Sequence, residues 1–165
     1  MTEAMPEGWS DFFVANAGVA GALAGLIIVA VSVNVQTILK FPGLTSRAGS
    51  TIASLILIVV AAAAALIPDQ GPRLLGGEIL LFSAIVLVLT VHAAVAMIRA
   101  AEPPYVTGSW VKAFLALLQI VPFGVGGIIL LSGSYSGLYW VAGGFLLIFC
   151  GSVANAWVLL IEILR

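Results

Sequence analysis

Few side chains in this sequence could do chemistry, and the most unusual of them is a lone histidine inside an apolar run. His92 lies near the middle of the run at residues 77–99. An ionisable side chain is costly at membrane depth, so such a residue is a candidate functional site. Three interpretations stay open: a neutral histidine bonded to a neighbouring helix, a protonatable switch or relay, and a haem or metal ligand.

The remaining reactive residues do not form a recognisable catalytic set. One histidine and one cysteine cannot build a His-rich or Cys-rich metal site within one chain. Glu78 and Glu162 stand at opposite membrane boundaries, so they cannot act as a carboxylate pair. No glycine-rich phosphate loop precedes a lysine. We therefore expect no catalytic residue, no metal site and no cofactor, and we do not expect an enzyme.

The elements that must position these residues are membrane-spanning helices. The chain of 165 residues is 62% hydrophobic and has only six basic and seven acidic side chains. A helix needs about 20 apolar residues to span the hydrocarbon core. Five such runs use almost the whole chain, so the sequence predicts an all-α bundle of five transmembrane helices in a single domain, residues 1–165. The predicted spans are about 12–39, 48–67, 77–99, 110–131 and 138–164.

The basic residues predict the orientation of this bundle. Arg73 lies on one side, and the other five lie on the opposite side: Lys40, Arg47, Arg99, Lys112 and Arg165. Cytoplasmic loops are enriched in lysine and arginine. We therefore expect a multi-pass protein of the bacterial plasma membrane (the cytoplasmic membrane), with its N-terminus outside and its C-terminus in the cytoplasm.

A polar layer follows from this orientation. Counted from the midpoint of each span, His92, Gln119 and Asn155 lie about 3–8 Å to the cytoplasmic side of the centre. Ser54, Thr90 and Ser152 fall in the same half. The candidate lining of a pore or cavity, provided that the helix faces converge, is His92, Gln119, Asn155, Ser54 and Ser152.

Pro122 and the glycines after it predict an irregular fourth span. Proline removes a backbone hydrogen bond and clashes with the preceding turn, so we expect a helix kink at Pro122 near the bilayer centre. Exposed carbonyls at that depth are tolerated where protein or a watery cavity satisfies them. The kink is therefore either a structural feature of the bundle or part of an ion or solute site.

Two stripes of small residues predict helix packing. Gly18, Gly21 and Gly25 share one face of the first span, and Gly144 and Gly151 share one face of the fifth. Small residues let helix backbones approach closely in lipid. Each stripe is either a contact between helices of the same chain or an oligomer interface.

Part of the chain resembles a known family. Residues 12–39, FFVANAGVAGALAGLIIVAVSVNVQTIL, are followed at residues 42–55 by PGLTSRAGSTIASL. This segment resembles a family of small, functionally uncharacterised multi-span membrane proteins from bacteria, chiefly actinobacteria. The resemblance implies an integral membrane protein and supplies no catalytic positions.

Two functional hypotheses remain. The first is a small homo-oligomeric membrane protein that forms a channel or binding cavity for an ion or small solute. The second is an accessory or scaffold subunit, or a regulator, of a larger membrane complex. In both cases the partners are the lipid bilayer and other membrane-embedded chains, whereas a net charge of −1 without a basic cluster argues against nucleic acid.

Overall fold

The described residues fold into α-helices. The computed structural model describes residues 5–33, 35–38, 42–99 and 106–161. In chain order the helices are α1 (Trp9–Val33), α2 (Val35–Ile38), α3 (Pro42–Ala65), α4 (Pro72–Arg99), α5 (Val106–Leu118), α6 (Val121–Leu131) and α7 (Gly137–Ile161). Five segments are long and apolar enough to cross a membrane: Trp9–Val33, Leu44–Ala65, Pro72–Arg99, Ala113–Leu131 and Gly137–Trp157. The prediction of an all-helical chain with five such helices is confirmed.

Prolines and residues with positive φ mark the ends of the helices. Pro42 and Pro72 begin α3 and α4, where a missing amide hydrogen costs nothing because the first turn has no acceptor for it. Pro68 follows the end of α3 and cannot continue its ladder. Asp69 then adopts a left-handed φ of 57°, and Gly133 turns the chain after α6 with a φ of 98°.

The fourth predicted span is interrupted near its middle. Gln119 and Ile120 form a turn between α5 and α6, and Pro122 is the second residue of α6. The amide of Phe123 donates to the carbonyl of Ile120 at 3.0 Å, a three-residue spacing that is tighter than an α-helical bond. The irregularity therefore lies immediately before the proline.

Four of the five spans form a closed ring, and the first packs on its outside. α3 packs along both α4 and α7, α6 packs on α4 and α7, and α5 continues the α6 span against α4. α1 lies mainly on α3, with a smaller contact to α7. α3 is consequently the most buried span, and α1 is the least.

Glycines set the close approach of α6 to its two neighbours. A Cβ built on Gly76 of α4 would lie 2.7 Å from the carbonyl oxygen of Gly127, and one on Gly126 would lie 2.7 Å from that of Gly137. Real Cβ atoms do not tolerate these distances, so only glycine permits this backbone contact.

An aromatic cluster fills the junction between α1, α6 and α7. The Phe145 ring centroid lies 6.0 Å from that of Phe13 and 5.7 Å from that of Phe123. All three rings are completely buried. Nearer the start of α1, Trp9 makes an edge contact with Tyr139 at 5.1 Å. These contacts attach α1 to the ring of helices.

The two ends of the bundle are named the Arg47 end and the Tyr135 end. At the Arg47 end, the start of α3 meets the ends of α4 and α7 and the start of α5. At the Tyr135 end, the start of α1 and the α6–α7 turn meet the α3–α4 turn.

Candidate functional site

The Arg47 end contains a polar cluster that joins α3 to α7. The Nε of Arg47 donates to the Oδ1 of Asn155 at 2.8 Å. The Nδ2 of Asn155 in turn donates to the hydroxyl of Thr51 at 2.9 Å. That hydroxyl donates to the carbonyl of Arg47, one turn earlier in α3, at 2.9 Å. We call Arg47, Thr51 and Asn155 the Arg47 cluster.

This cluster follows from residue spacing along α3. Arg47 and Thr51 are four residues apart, so they lie on one face of the helix. That face meets the end of α7, where Asn155 can use both its acceptor and its donor. The side-chain carbonyl therefore faces the guanidinium and the amide faces the threonine. Hydrogen bonds to a charged group contribute about 1.5–3 kcal/mol each, so this contact ties the two helices together.

A small cavity adjoins the cluster. Its volume is about 40 Å³, which exceeds the roughly 10–15 Å³ that one water needs. Polar side chains from three helices line it together with small apolar residues of α4 and α5; the polar members are Ser46, Arg47, Ser50, Thr90 and Asn155. We call it the Arg47 cavity. It has room for a few waters or one small ion.

One wall of this cavity holds a buried hydroxyl without a partner. Thr90 is 1% exposed, and its Oγ1 has no hydrogen bond within the part of the chain that the structure describes. A buried polar group left unsatisfied costs about 1–3 kcal/mol. Thr90 is one of the residues that line the Arg47 cavity.

His92 lies away from this cavity. It is exposed on the outer surface of α4, and its Nδ1 is 3.1 Å from the carbonyl of Val88 in the same helix. It lies two positions after Thr90, which corresponds to a rotation of about 200° around an α-helix. Thr90 therefore faces the interior and His92 faces outward. The lining of a pore by His92 stays a prediction, and it would need a second chain.

Gln119, unlike His92, lies close to Asn155. Its side chain packs over Gly151 of α7, where a Cβ would come within 2.5 Å of the Gln119 Nε2. Gly151 is one turn from Asn155, so the break between α5 and α6 places the Gln119 amide about 6 Å along α7 from the Arg47 cluster. Of the three residues predicted to lie near the bilayer centre, His92, Gln119 and Asn155, the structure places the last two about one helical turn apart.

The two predicted serines are buried but do not line the Arg47 cavity. Ser54 and Ser152 are 6% and 3% exposed. Ser54 follows Thr51 by three residues in α3, and Ser152 precedes Asn155 by three residues in α7. Both serines therefore lie about one turn further into the bundle than the Arg47 cluster. They extend the polar face of the α3–α7 contact toward the centre.

The two glycine stripes have different surroundings. Gly144 packs against the ring of Phe123 and Gly151 against Gln119, both within the chain. Gly18, Gly21 and Gly25 are exposed, and a Cβ built on any of them would meet nothing within 4 Å. The α1 stripe therefore lies on the outer surface of the protomer.

Sequence reasoning did not identify Arg47 or Thr51 as site residues, and it placed Thr90 in the polar half of the bundle without naming it as a lining residue. Arg47 was counted as a loop charge, although the i, i+4 spacing of Arg47 and Thr51 could have indicated a polar helix face. Nothing in the sequence shows that Thr90 faces inward. Among the described residues, no three of His, Cys, Asp and Glu lie together in a way that could hold a metal ion.

Comparisons with protein-family models, with curated proteins and with solved structures give no match for this chain.

Proposed function

We propose that this chain is a small, self-associating protein of the bacterial cytoplasmic membrane that holds a small anion or polar solute in the Arg47 cavity. The observation that carries the proposal is the buried Thr90 hydroxyl, which has no hydrogen-bond partner among the described residues, on a residue that lines one cavity with Arg47 and Asn155. Satisfying that hydroxyl recovers about 1–3 kcal/mol. The positive charge of Arg47 favours an anion or a neutral solute over a cation.

The basic residues support an orientation with the Arg47 end in the cytoplasm. Arg47, Arg99 and Lys112 stand near the start of α3, the end of α4 and the start of α5, which meet at that end. Arg73 is at the opposite end, beside Gly133 in the turn that follows α6. Under the positive-inside rule, the proposed site then opens toward the cytoplasm.

The packing supports a binding cavity rather than a pore through one chain. Beyond Ser54, the buried side chains of α3 are apolar as far as the end of the helix, among them Leu55, Ile58 and Ala62. Such a core leaves no polar lining for an ion to follow. If the protein conducts, the path lies between protomers, where His92 could contribute.

Purified protein in nanodiscs and in proteoliposomes tests the proposal. Chloride is the probe, and its binding is followed by broadening of its NMR line. Thr90→Val removes the hydroxyl at nearly constant shape and should weaken binding about fivefold, the factor for one hydrogen bond of about 1 kcal/mol. Ser32→Ala, on the exposed face of α1, is the matched control and should leave binding unchanged.

Flux of protons, potassium and chloride is measured in the same proteoliposomes, with His92→Ala as a second variant. Chloride flux that Thr90→Val reduces would extend the proposal from binding to transport. Line broadening no greater than in protein-free nanodiscs, with no flux of any of the three ions and no effect of either variant, would contradict it.

The open face of α1 favours a second candidate function, that of an accessory subunit of a larger membrane complex. The α1 stripe of Gly18, Gly21 and Gly25 has no neighbour among the described residues within 4 Å of a Cβ built there, and such faces pack against other helices in lipid. Affinity capture in mild detergent separates the two candidates. A stoichiometric foreign membrane protein would favour the accessory role, whereas a defined homo-oligomer would favour the first.

A further inference from the structure

A second, larger cavity lies at the Tyr135 end, on the opposite side of the bundle from the Arg47 cavity. Its volume is about 280 Å³, and at roughly 30 Å³ for each water this is space for about nine non-hydrogen atoms. The last residues of α3 and the α3–α4 turn form most of its wall. Ser10 and Met5 close one side, and Leu75 and Tyr135 close the other. We call it the Tyr135 cavity.

Gln70 is held firmly in this wall. Its Nε2 donates to the Oε2 of Glu78 at 2.6 Å, and its backbone carbonyl accepts a hydrogen bond from the Tyr135 hydroxyl at 3.3 Å. These two contacts leave the Oε1 of Gln70 buried, with no hydrogen-bond partner among the described residues. A ligand that donates a hydrogen bond is the missing partner of this oxygen.

The orientation of the Gln70 amide is fixed by its neighbour. Exchanging the amide oxygen and nitrogen would place the carbonyl oxygen against the Glu78 carboxylate, where both groups are acceptors. The nitrogen must therefore face Glu78, and the oxygen is the atom left over. Because that atom can only accept, water or an N–H or O–H donor can satisfy it, whereas an aprotic ligand cannot.

The charges around the Tyr135 cavity are negative. Asp69 lines it, and the carboxyl end of α3, which carries the negative pole of the helix dipole, forms one wall. Pro68 has no amide hydrogen, so it cannot donate a hydrogen bond to the carbonyls of the last turn of that helix. The nearest basic residue in sequence, Arg73, is not part of the described lining, and its side chain lies beside Gly133.

We propose that the Tyr135 cavity binds a small organic cation that bears N–H groups, a primary ammonium compound. The ammonium group would donate to the Oε1 of Gln70 and lie near the Asp69 carboxylate, and a short carbon chain would pack on Leu66 and Leu75. This site is separate from the Arg47 cavity, and the proposal does not depend on the function proposed for that cavity.

Three probes with five non-hydrogen atoms each separate charge from hydrogen bonding: n-butylammonium, tetramethylammonium and 1-butanol. Ligand-observed NMR titrations use the full chain in nanodiscs, and protein-free nanodiscs correct for partition into lipid. We expect n-butylammonium to bind at least about fivefold more tightly than either of the others. Over 1-butanol this is the factor for one unit charge at about 4 Å in the dielectric of water. Over tetramethylammonium, which has the same charge, it is the factor for one hydrogen bond of about 1 kcal/mol.

Two variants locate the binding. Asp69→Asn removes the charge while keeping a side chain that tolerates the left-handed φ of 57°, and it should weaken n-butylammonium binding at least about fivefold. Gln70→Met removes the acceptor at similar size and should abolish the preference for n-butylammonium over tetramethylammonium. Glu7→Gln is the matched control, because it removes an exposed negative charge near the start of α1 and outside the cavity lining.

Several results would overturn the proposal. They are equal binding of the three probes, no binding of n-butylammonium above the nanodisc background, and an equal loss of binding in Asp69→Asn and Glu7→Gln. The last result would show that the general surface charge attracts the probe without a site. Retained preference for n-butylammonium in Gln70→Met would equally exclude the assigned acceptor.

Discussion

The substitution Gly126→Ala gives the sharpest test of the helix packing. A Cβ at this position would lie 2.7 Å from the carbonyl oxygen of Gly137 and 2.8 Å from the Cγ2 of Val141. The backbone nitrogen of Val141 follows at 3.2 Å. Two of these three atoms belong to the backbone of α7, so they cannot move without moving the helix. The new methyl group therefore forces α6 and α7 apart.

The expected loss of stability follows from these distances. Ordinary contact begins at 3.4 Å, so the helices must separate by roughly 0.7 Å, a gap that forfeits a quarter to a half of the dispersion energy of each separated contact. Overpacking of this kind typically costs about 1–3 kcal/mol. Alanine returns about 0.5–1 kcal/mol through its higher helix propensity. The net destabilisation should be about 1–2 kcal/mol, or a decrease in Tm of about 2–8 °C.

Gly124→Ala is the matched control in the same helix. A Cβ at Gly124 would meet nothing within 4 Å, so its Tm should stay equal to that of the wild type or rise slightly. Thermal unfolding of the purified protein in detergent, followed by tryptophan fluorescence, gives both values. If Gly126→Ala unfolded within 1 °C of wild type, or if both variants lost stability equally, the close approach of α6 and α7 would be refuted.

Three further predictions concern the Arg47 cluster, the α1 stripe and the orientation. Asn155→Ala removes one acceptor and one donor used by α3 and should lower stability by about 1–3 kcal/mol; an unchanged Tm would contradict the α3–α7 link. Gly21→Leu should convert an oligomer into a monomer on size-exclusion chromatography at unchanged protomer Tm, whereas a retained oligomer would exclude this face. In a background without Cys150, an impermeant maleimide should label Ser136→Cys in intact cells and Gly108→Cys only after permeabilisation; the reverse pattern would invert the orientation.

The existence of five membrane-length helices could be predicted because lipid imposes it. Backbone groups find no water in the hydrocarbon core, so an apolar run of about 20 residues has the α-helix as its principal solution. The irregularity near Pro122 could be anticipated for the same reason, since proline removes one of those internal bonds. Both conclusions concern a single helix and need no knowledge of its neighbours.

The side chains that meet could not be predicted from the same information. Depth along a helix follows from residue counting, so Gln119 and Asn155 could be assigned to one layer. In the structure the Gln119 side chain packs on α7 about one turn from Asn155. Rotation about the helix axis is set by packing against other helices. His92 and Thr90 have nearly the same depth but face opposite ways, and residue counting alone could not tell which of them faces the interior.

The glycine stripes also show that the sequence does not identify the packing partner of a helix face. A row of small residues permits a close helix contact without specifying the partner. Gly144 and Gly151 contact α6 and Gln119, whereas a Cβ built on Gly21 or Gly25 would meet no described residue within 4 Å. The packing of Gly126 on Gly137 needs both helices in register, and that register is a property of the folded bundle.

The two cavities constrain how the molecule could work. They lie at opposite ends of α3, about 20 Å apart along that helix, with buried apolar side chains such as Leu55 and Ile58 between them. Moving an ion through that core would expose it to a medium without hydrogen-bonding groups, at a cost of several kcal/mol. In the two proposals above, each cavity is a separate binding site at one end of the bundle, and conduction would have to use a surface shared by two protomers. Ion flux that persists in a monomeric Gly21→Leu variant would contradict this reasoning, because the described core of a single protomer has no polar path.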